Sequence, residues 1–363
     1  MTIDAGRLDS LFRRFMSDLG AALGAPLVVL GERLGLYRAL EAAGPTGLTA
    51  AELAAATGIN EDLLGEWLTN QAAAGYLEYD AQQRRFRLAP EYAAALVDAE
   101  ALRTLRRAFL AVIEASGSLD RLERAYRTGQ PVRWPEGRDP GPLLRPLLRY
   151  ESLAAMTTEW VPALAGVDTR LRAGGAAAEL GCGDGAITSV LAAAYPRSIV
   201  VGFDPDGRNV AEASARAGRP SNADFRIGSF TTFDMPEDPG RNGAPGARGG
   251  YDLVVSVDTY HAEPDPIAAA EAVRRRLRPD GVWMIVEPVA GPGPDEAVGP
   301  CGRLLTGAAA TGCLPEWGVP PSRGALGARA GESRLRRAVT AGGFGRVRPA
   351  VETAWHLVLE ARL

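Results

Sequence analysis

The chain has 363 residues, of which 46% are hydrophobic, with a formal net charge of −4. That length corresponds to between two and three domains of roughly 150 residues, enough to bury a sizeable core. Its 43 Gly and 26 Pro stay below the roughly 25–30% that marks low-complexity chains, so a disordered or fibrous protein is excluded. The negative net charge argues against bulk attraction to nucleic acid or anionic lipid.

Uncharged runs such as 20–31 and 185–196 fall short of the roughly 18 residues needed to cross a bilayer. No basic region leads into an apolar stretch at the N-terminus, so no signal peptide is expected and the chain reads as cytoplasmic. All 40 basic residues are arginine. Mechanisms that need a lysine nucleophile, a Schiff base or a P-loop lysine are therefore excluded. Two histidines, His261 and His356, and three cysteines, Cys182, Cys301 and Cys313, form no CxxC or HExxH spelling. No metal site is expected, and three scattered thiols suit a reducing compartment.

Residues 1–100 read as mostly helical. Leu8, Leu11, Phe12, Phe15, Met16, Leu19 and Leu23 follow the spacing of an amphipathic helix, and a second apolar run covers 27–40. Thr49 and Glu52 spell a capping box. Asn60 caps a further helix at 61–74, after which 76–79 and 85–88 flank a polar segment and read as a short hairpin. Helix, turn, helix, hairpin is the order of a winged helix. In a DNA-binding unit of that kind the second helix carries basic residues toward the duplex. Here it holds Glu61, Asp62 and Glu66 and no basic residue, so DNA would repel it. Only Arg84, Arg85 and Arg87 in the hairpin lean the other way. The apolar stripe of the first helix needs a partner to cover it, and a homodimer through 1–100 is expected.

Residues 101–170 read as a helical connector, with patterns at 101–115 and 143–164 around a Pro/Gly-rich stretch, 130–142. Tyr150, Met156 and Trp160 on the second pattern are either core residues or the lining of a substrate pocket. From residue 171 onward a third domain is expected. Apolar runs at 176–180, 199–204, 224–227, 251–257 and 282–287 alternate with helical stretches at 187–194, 207–217 and 267–277. That alternation predicts an α/β fold with a doubly wound, mostly parallel sheet. Runs at 346–352 and 355–361 close it with an antiparallel hairpin, and the aperiodic stretch 236–250 reads as a loop.

The first strand of this domain runs through Glu179 into Gly181-Cys182-Gly183-Asp184-Gly185. Glycines at alternate positions let the backbone turn sharply and let a ligand lie against it. The second strand ends in Asp204, an acid placed to accept both hydroxyls of a ribose. His261 follows the fourth strand at the carboxyl edge, where open α/β sheets hold their reacting groups. An imidazole with a near-neutral pKa can take a proton there.

With these residues, the stretches Tyr251-Asp252-Leu253-Val254 and Leu277-Arg278-Pro279-Asp280-Gly281, and the terminal hairpin, the chain resembles the class I S-adenosylmethionine-dependent methyltransferases. Its winged-helix start is similar to the two-domain small-molecule O-methyltransferases and their bacterial relatives in natural-product pathways. The resemblance implies a Rossmann-like catalytic domain binding S-adenosylmethionine, with S-adenosylhomocysteine as product. Gly181, Gly183 and Gly185 would approach the amino-acid part of the cofactor, Glu179 its ammonium group and Asp204 its ribose. Ser229 stands where relatives have an acid for the adenine; Phe230 and Asp258 complete the expected cofactor site. His261 would be the general base and Glu287 the acid that orients it, although the acid that usually follows the histidine is Ala262 here. Tyr150, Met156, Trp160, Tyr260 and Trp317 are the candidates for holding an aromatic or heteroaromatic acceptor, methylated on O, N or C. Two other readings remain open: an enzyme that binds the cofactor without transferring its methyl group, and a ligand-responsive DNA-binding regulator.

Overall fold

The computed structural model describes residues 4–97, 99–135, 149, 151–216, 218–234, 250–289, 299–313, 326–327 and 330–363. The chain divides into two compact units, Met1–Arg127 with Arg133–Leu147, and Thr128–Val132 with Leu148–Leu363. Residues 101–127, read from sequence as part of a separate connector, therefore go with the N-terminal unit, and 148–170 go with the sheet.

The first unit begins with α1 (Ala5–Arg33), a single helix of 29 residues capped by the Asp4 carboxylate. The two apolar runs of the sequence are thus joined through Pro26 rather than broken before it. An interior proline costs a helix about 3 kcal/mol. Full burial of Val28 and Val29 returns roughly 1.5–3 kcal/mol each, which offsets that cost. The break comes instead at Gly35, whose φ of +70° reverses the chain into α2 (Leu36–Ala42). Gly31 is required for packing, since a Cβ there would stand 2.4 Å from the Trp67 ring.

α3 (Ala50–Thr57) carries the capping box as spelled: the Thr49 hydroxyl accepts from Glu52 N–H at 3.2 Å and the Glu52 carboxylate from Thr49 N–H at 2.9 Å. α4 (Glu61–Ala73) is capped by Asn60, whose side chain accepts from Leu63 N–H at 3.0 Å. The hairpin β1 (Glu78–Asp80) and β2 (Arg85–Arg87) is extended by a bridge between Phe86 and Leu48. Leu36, Tyr37, Leu40, Leu53, Trp67 and Leu68 form the core of this winged helix. α5 (Pro90–Leu96), α6 (Ala99–Ser116) and α7 (Leu119–Thr128) follow, with α6 packed along α1. Two of the hairpin arginines serve this unit internally: Arg85 pairs with Glu52 at 2.7 Å, and Arg87 lies 3.9 Å from Glu78.

Among the described residues α1 is the one helix long and apolar enough to cross a bilayer by length and composition. The uncharged-run reading of the sequence did not anticipate this. Its last turns are core, with Leu27 C=O accepting from the Trp67 indole at 2.9 Å. Its first turns expose Leu8, Leu11, Phe12, Phe15, Met16, Leu19 and Leu23, each 43–70% accessible.

The second unit is built on a seven-stranded sheet in the order β5-β4-β3-β6-β7-β9-β8. Its strands are β3 (Ala176–Leu180), β4 (Ile199–Asp204), β5 (Ala223–Ile227), β6 (Tyr251–Val257), β7 (Leu277–Pro288), β8 (Arg346–Glu352) and β9 (His356–Arg362). β3 through β7 are parallel, while β8 and β9 pair antiparallel with each other and β9 antiparallel with β7. The order reverses between β3 and β4 on one side and β6 on the other, which puts the ligand crevice at the carboxyl ends of these strands. Alternation along β7 sends Val282, Met284 and Val286 into one core layer and Trp283 and Ile285 into the other.

At the opposite end of the sheet, Asp252 is 2% exposed in its side chain and ties three segments together. Its carboxylate accepts from Ala176 N–H at 2.9 Å and from Arg278 at 3.1 Å, and Arg170 stands 3.5 Å away. Asp252→Ala leaves both guanidiniums without their main partner. It should cost the sheet domain about 2–4 kcal/mol in a denaturant titration, whereas Asp280→Ala, on an exposed neighbour, should change stability little.

Candidate active site

β3 passes into the glycine loop, which opens the Ala186–Ala194 helix. Gly181, Gly183 and Gly185 have φ of +77°, +54° and +75°, a region costly for any residue with a Cβ. Gly181 lies against Thr259 and Gly185 against Phe225, at 2.5 and 2.4 Å from where a Cβ would be. Nothing lies within 4 Å of that position at Gly183. Gly183 is therefore the point where the loop backbone borders open ground.

The loop is held by the end of β4. Gly181 and Cys182 both donate their N–H to Phe203 C=O, at 2.8 and 2.9 Å. Gly183 N–H donates to Asp204 Oδ2 at 2.9 Å, while Asp204 Oδ1 accepts from Asp206 N–H at 2.9 Å and the Asn209 amide at 3.0 Å. The Asp204 carboxylate is thus fixed in orientation at the edge of the loop, with acceptor capacity left for hydroxyl donors.

Glu179 is 3% exposed and accepts a hydrogen bond from the Thr188 hydroxyl. Burial pushes its carboxyl up to about 8, against the opposing pull of Thr188 and of Arg149. Arg149 itself grips Asp184 with both terminal nitrogens, at 2.5 and 2.9 Å. Despite partial burial, that guanidinium and Arg216 hold the Asp184 carboxyl below the usual range. Cys182 is buried, and burial pushes its thiol well up, so it is no nucleophile.

At the end of β6, Tyr260–Ala262 forms a single 3-10 turn. His261 is 6% exposed, and its Nδ1 is hydrogen-bonded to the Glu287 carboxylate, which also accepts from His261 N–H at 3.1 Å. Glu287 closes β7 and is 1% exposed. A carboxylate on Nδ1 fixes the ring tautomer and orientation and supports the imidazolium that forms on protonation at Nε2. Two residues on, burial raises the Glu263 carboxyl to about 7.

The structure brings Glu179, the three loop glycines, Asp204, Asp258, His261 and Glu287 to the carboxyl edge of one sheet. Ser229 makes a local turn, its hydroxyl within 3.0 Å of Thr232 and 3.2 Å of Thr231. The other candidate residues that are described lie buried. Phe230 is 3% exposed and packs on Tyr260 and Trp283; Tyr260 is fully buried, its hydroxyl donating to Pro266 C=O at 2.8 Å. Both belong to the core layer around Trp283, which the turn after β6 reaches by folding the Tyr260 ring against it. Met156 and Trp160 are also fully buried, in the opposite core layer. Tyr150 and Trp317 lie outside the described residues. Sequence reading missed Thr188, Arg149 and Glu263, whose roles depend on contacts across 9 to 35 residues or on burial, neither of which leaves a local signature.

The raised pKa of Glu179 gives a stability test. Its folded value lies above the ordinary 4.5, so the contribution is fully present below about 4.5 and is lost as pH rises through about 8. Glu179→Gln keeps an acceptor for Thr188 without that ionisation. Denaturant titrations at a series of pH values should show the variant gaining on the wild type between these limits; a constant difference would mean that Glu179 is ionised throughout.

Comparison with known proteins agrees with this architecture. Residues 178–283 match the family described as methyltransferase domain, and residues 21–98 match the Rv2258c-like winged HTH domain. Human N-acetylserotonin methyltransferase, solved in complex with SAM, superposes with a TM-score of 0.67 at 16% identity, covering 99% of this chain and 98% of that one. Mitomycin 7-O-methyltransferase MmcR gives 0.66 at 17% identity over 99% and 100%. CalO1, a methyltransferase in calicheamicin biosynthesis solved with SAH bound, gives 0.64 at 19% over the whole of both chains. At these identities the likeness establishes the fold. A stretch of 109 residues, 30% of this chain, is 26% identical to the non-reducing polyketide synthase ausA of Emericella nidulans and spans 4% of that protein's length. The chain thus carries a methyltransferase domain behind an Rv2258c-like winged helix-turn-helix domain.

Proposed function

We propose that the protein transfers a methyl group from S-adenosylmethionine to a small acceptor, an aromatic or heteroaromatic secondary metabolite. The observation that carries the cofactor is the open face at Gly183 beside the oriented Asp204 carboxylate. A nucleoside fits there: Asp204 accepts from ribose hydroxyls, and the glycine backbone admits the amino-acid chain without Cβ clashes. The known structures cited above include complexes with SAM and SAH, consistent with that assignment. When bound, the cofactor supplies an electrophilic methyl group on a sulfonium.

The remaining work falls to the chain's own residues. Holding donor and acceptor in line can account for much of a displacement's acceleration. His261, oriented by Glu287, takes the proton that the acceptor loses as its new bond forms. Ala262 leaves only Glu287 to orient that ring from the positions the family pattern supplies. The winged helix is not a DNA reader in this proposal, since α4 turns Glu61, Asp62 and Glu66 to solvent. Its α1 stripe is instead covered by a second copy of the chain. The scarcity of cysteine, three in 363 residues, suits a cytoplasmic enzyme.

Calorimetric titration with S-adenosylhomocysteine should give binding to the wild type that Asp204→Ala loses. With a competent acceptor, His261→Ala should lower kcat by about 100-fold or more while leaving that binding intact; an unchanged kcat would remove His261 from the chemistry. Light scattering should give twice the mass of one chain, and Phe15→Arg with Leu19→Arg should halve it.

A further inference from the structure

The second histidine also forms an acid–imidazole pair, on the other face of the sheet. His356 opens β9 beside Pro288 and is fully buried. Its Nδ1 lies 2.7 Å from Glu151 Oε2, which also accepts from the Thr353 hydroxyl at 2.8 Å. Its Nε2 lies 3.6 Å from Asp258 Oδ2, and the Trp160 ring stands edge-on at 5.5 Å. Burial lowers the His356 pKa, but Asp258 and Glu151 outweigh it, so the net direction is up. The imidazole thus stands between two acidic side chains.

Asp258 has two unusual features. It is one of two non-glycine residues among those described with positive φ, here +52°. Strand alternation would send its side chain the way of Ser256, whose hydroxyl meets Trp283; the left-handed turn carries it instead to His356. Such strain persists where the surroundings enforce it, commonly at ligand clamps. Among the described residues its Oδ1 has no hydrogen-bond partner, although the side chain is only 9% exposed. A buried carboxylate oxygen without a partner is costly, so a donor is expected there. Adjacent Thr259 packs on Gly181 and donates to Leu180 C=O at 3.2 Å, which puts Asp258 one residue from the glycine loop.

Glu179, the acid that the family pattern offers to the cofactor's ammonium group, is poorly suited to it. One oxygen is taken by Thr188, and burial favours its neutral form. We propose that Asp258 is the countercharge for the ammonium group of the cofactor's methionine part, and that His356, held by Glu151, is the residue that positions its carboxylate. This rests on the cofactor reading above and names which anion serves one group of that cofactor.

The test compares two ligands on the full chain. S-adenosylhomocysteine carries the ammonium group; 5′-methylthioadenosine keeps the nucleoside and sulfur but lacks the amino-acid part. Asp258→Asn, which preserves shape, and His356→Phe, which preserves the ring, should each weaken the first ligand by about tenfold or more. Both should leave the second within about twofold, as expected when no bond to it is lost. His356→Gln should recover part of the loss. Parallel weakening of both ligands would mean a structural role only, and unchanged S-adenosylhomocysteine affinity would put the ammonium elsewhere; either overturns the proposal. Wild type binding neither ligand would overturn the cofactor reading itself, whereas loss of both ligands in Asp204→Ala alone would leave that reading standing and isolate the failure at Asp258. Thermal melts identify any variant that does not fold, in which case Asp258→Asn decides.

Discussion

The carboxyl end of β4 shapes everything on the cofactor side of this protein. A single carbonyl, that of Phe203, takes the N–H groups of both Gly181 and Cys182, and the next side chain, Asp204, takes that of Gly183. Three successive donors of the glycine loop are thereby fixed by two residues of the neighbouring strand. Satisfied in this way, the loop does not need a ligand to hold its shape, and its backbone is preorganised before anything binds. Close packing of Gly185 on Phe225 sets how near the following helix can approach the sheet.

The second constraint is the cost of burying charge. Among the described residues, five of the buried acids and imidazoles of the sheet domain stand at the carboxyl edge: Glu179, Asp204, His261, Glu287 and His356. Each is compensated by a named neighbour, because an isolated charge in such surroundings would neutralise or destabilise the fold. The two histidines have each acquired a glutamate on Nδ1, from opposite faces of the sheet. His261 reaches Glu287 across two adjacent parallel strands, while His356 reaches Glu151 on a helix more than 200 residues earlier. The same chemistry is thus assembled once from sheet register and once from helix packing.

Much of the local structure was legible in the sequence because its causes are local. The Thr49–Glu52 box and the Asn60 cap are hydrogen bonds between residues three apart. The alternation of short apolar runs with helical stretches required a parallel sheet, and the seven strands lie close to where those runs fell. Local reasoning failed where a long-range term decided the outcome. Pro26 stays inside α1 because the core behind it offsets the broken ladder. Phe230, Tyr260, Met156 and Trp160, eligible by residue type for a binding surface, are buried because layers on both faces of the sheet need large side chains to fill them.

By itself the sequence determined the class of fold, the glycine loop, the acid closing the second strand and the histidine after the fourth, since each is a short spelling with a local physical reason. Tertiary structure alone decided which ionisable groups are paired, which are neutral and which keep an oxygen open. Those properties depend on burial and on partners distant in the chain. Glu179 looks like a charged ligand in one dimension and is a largely neutral, hydrogen-bonded acid in three. Asp258 and His356 look unrelated until the left-handed turn at the end of β6 and the start of β9 bring them within 3.6 Å.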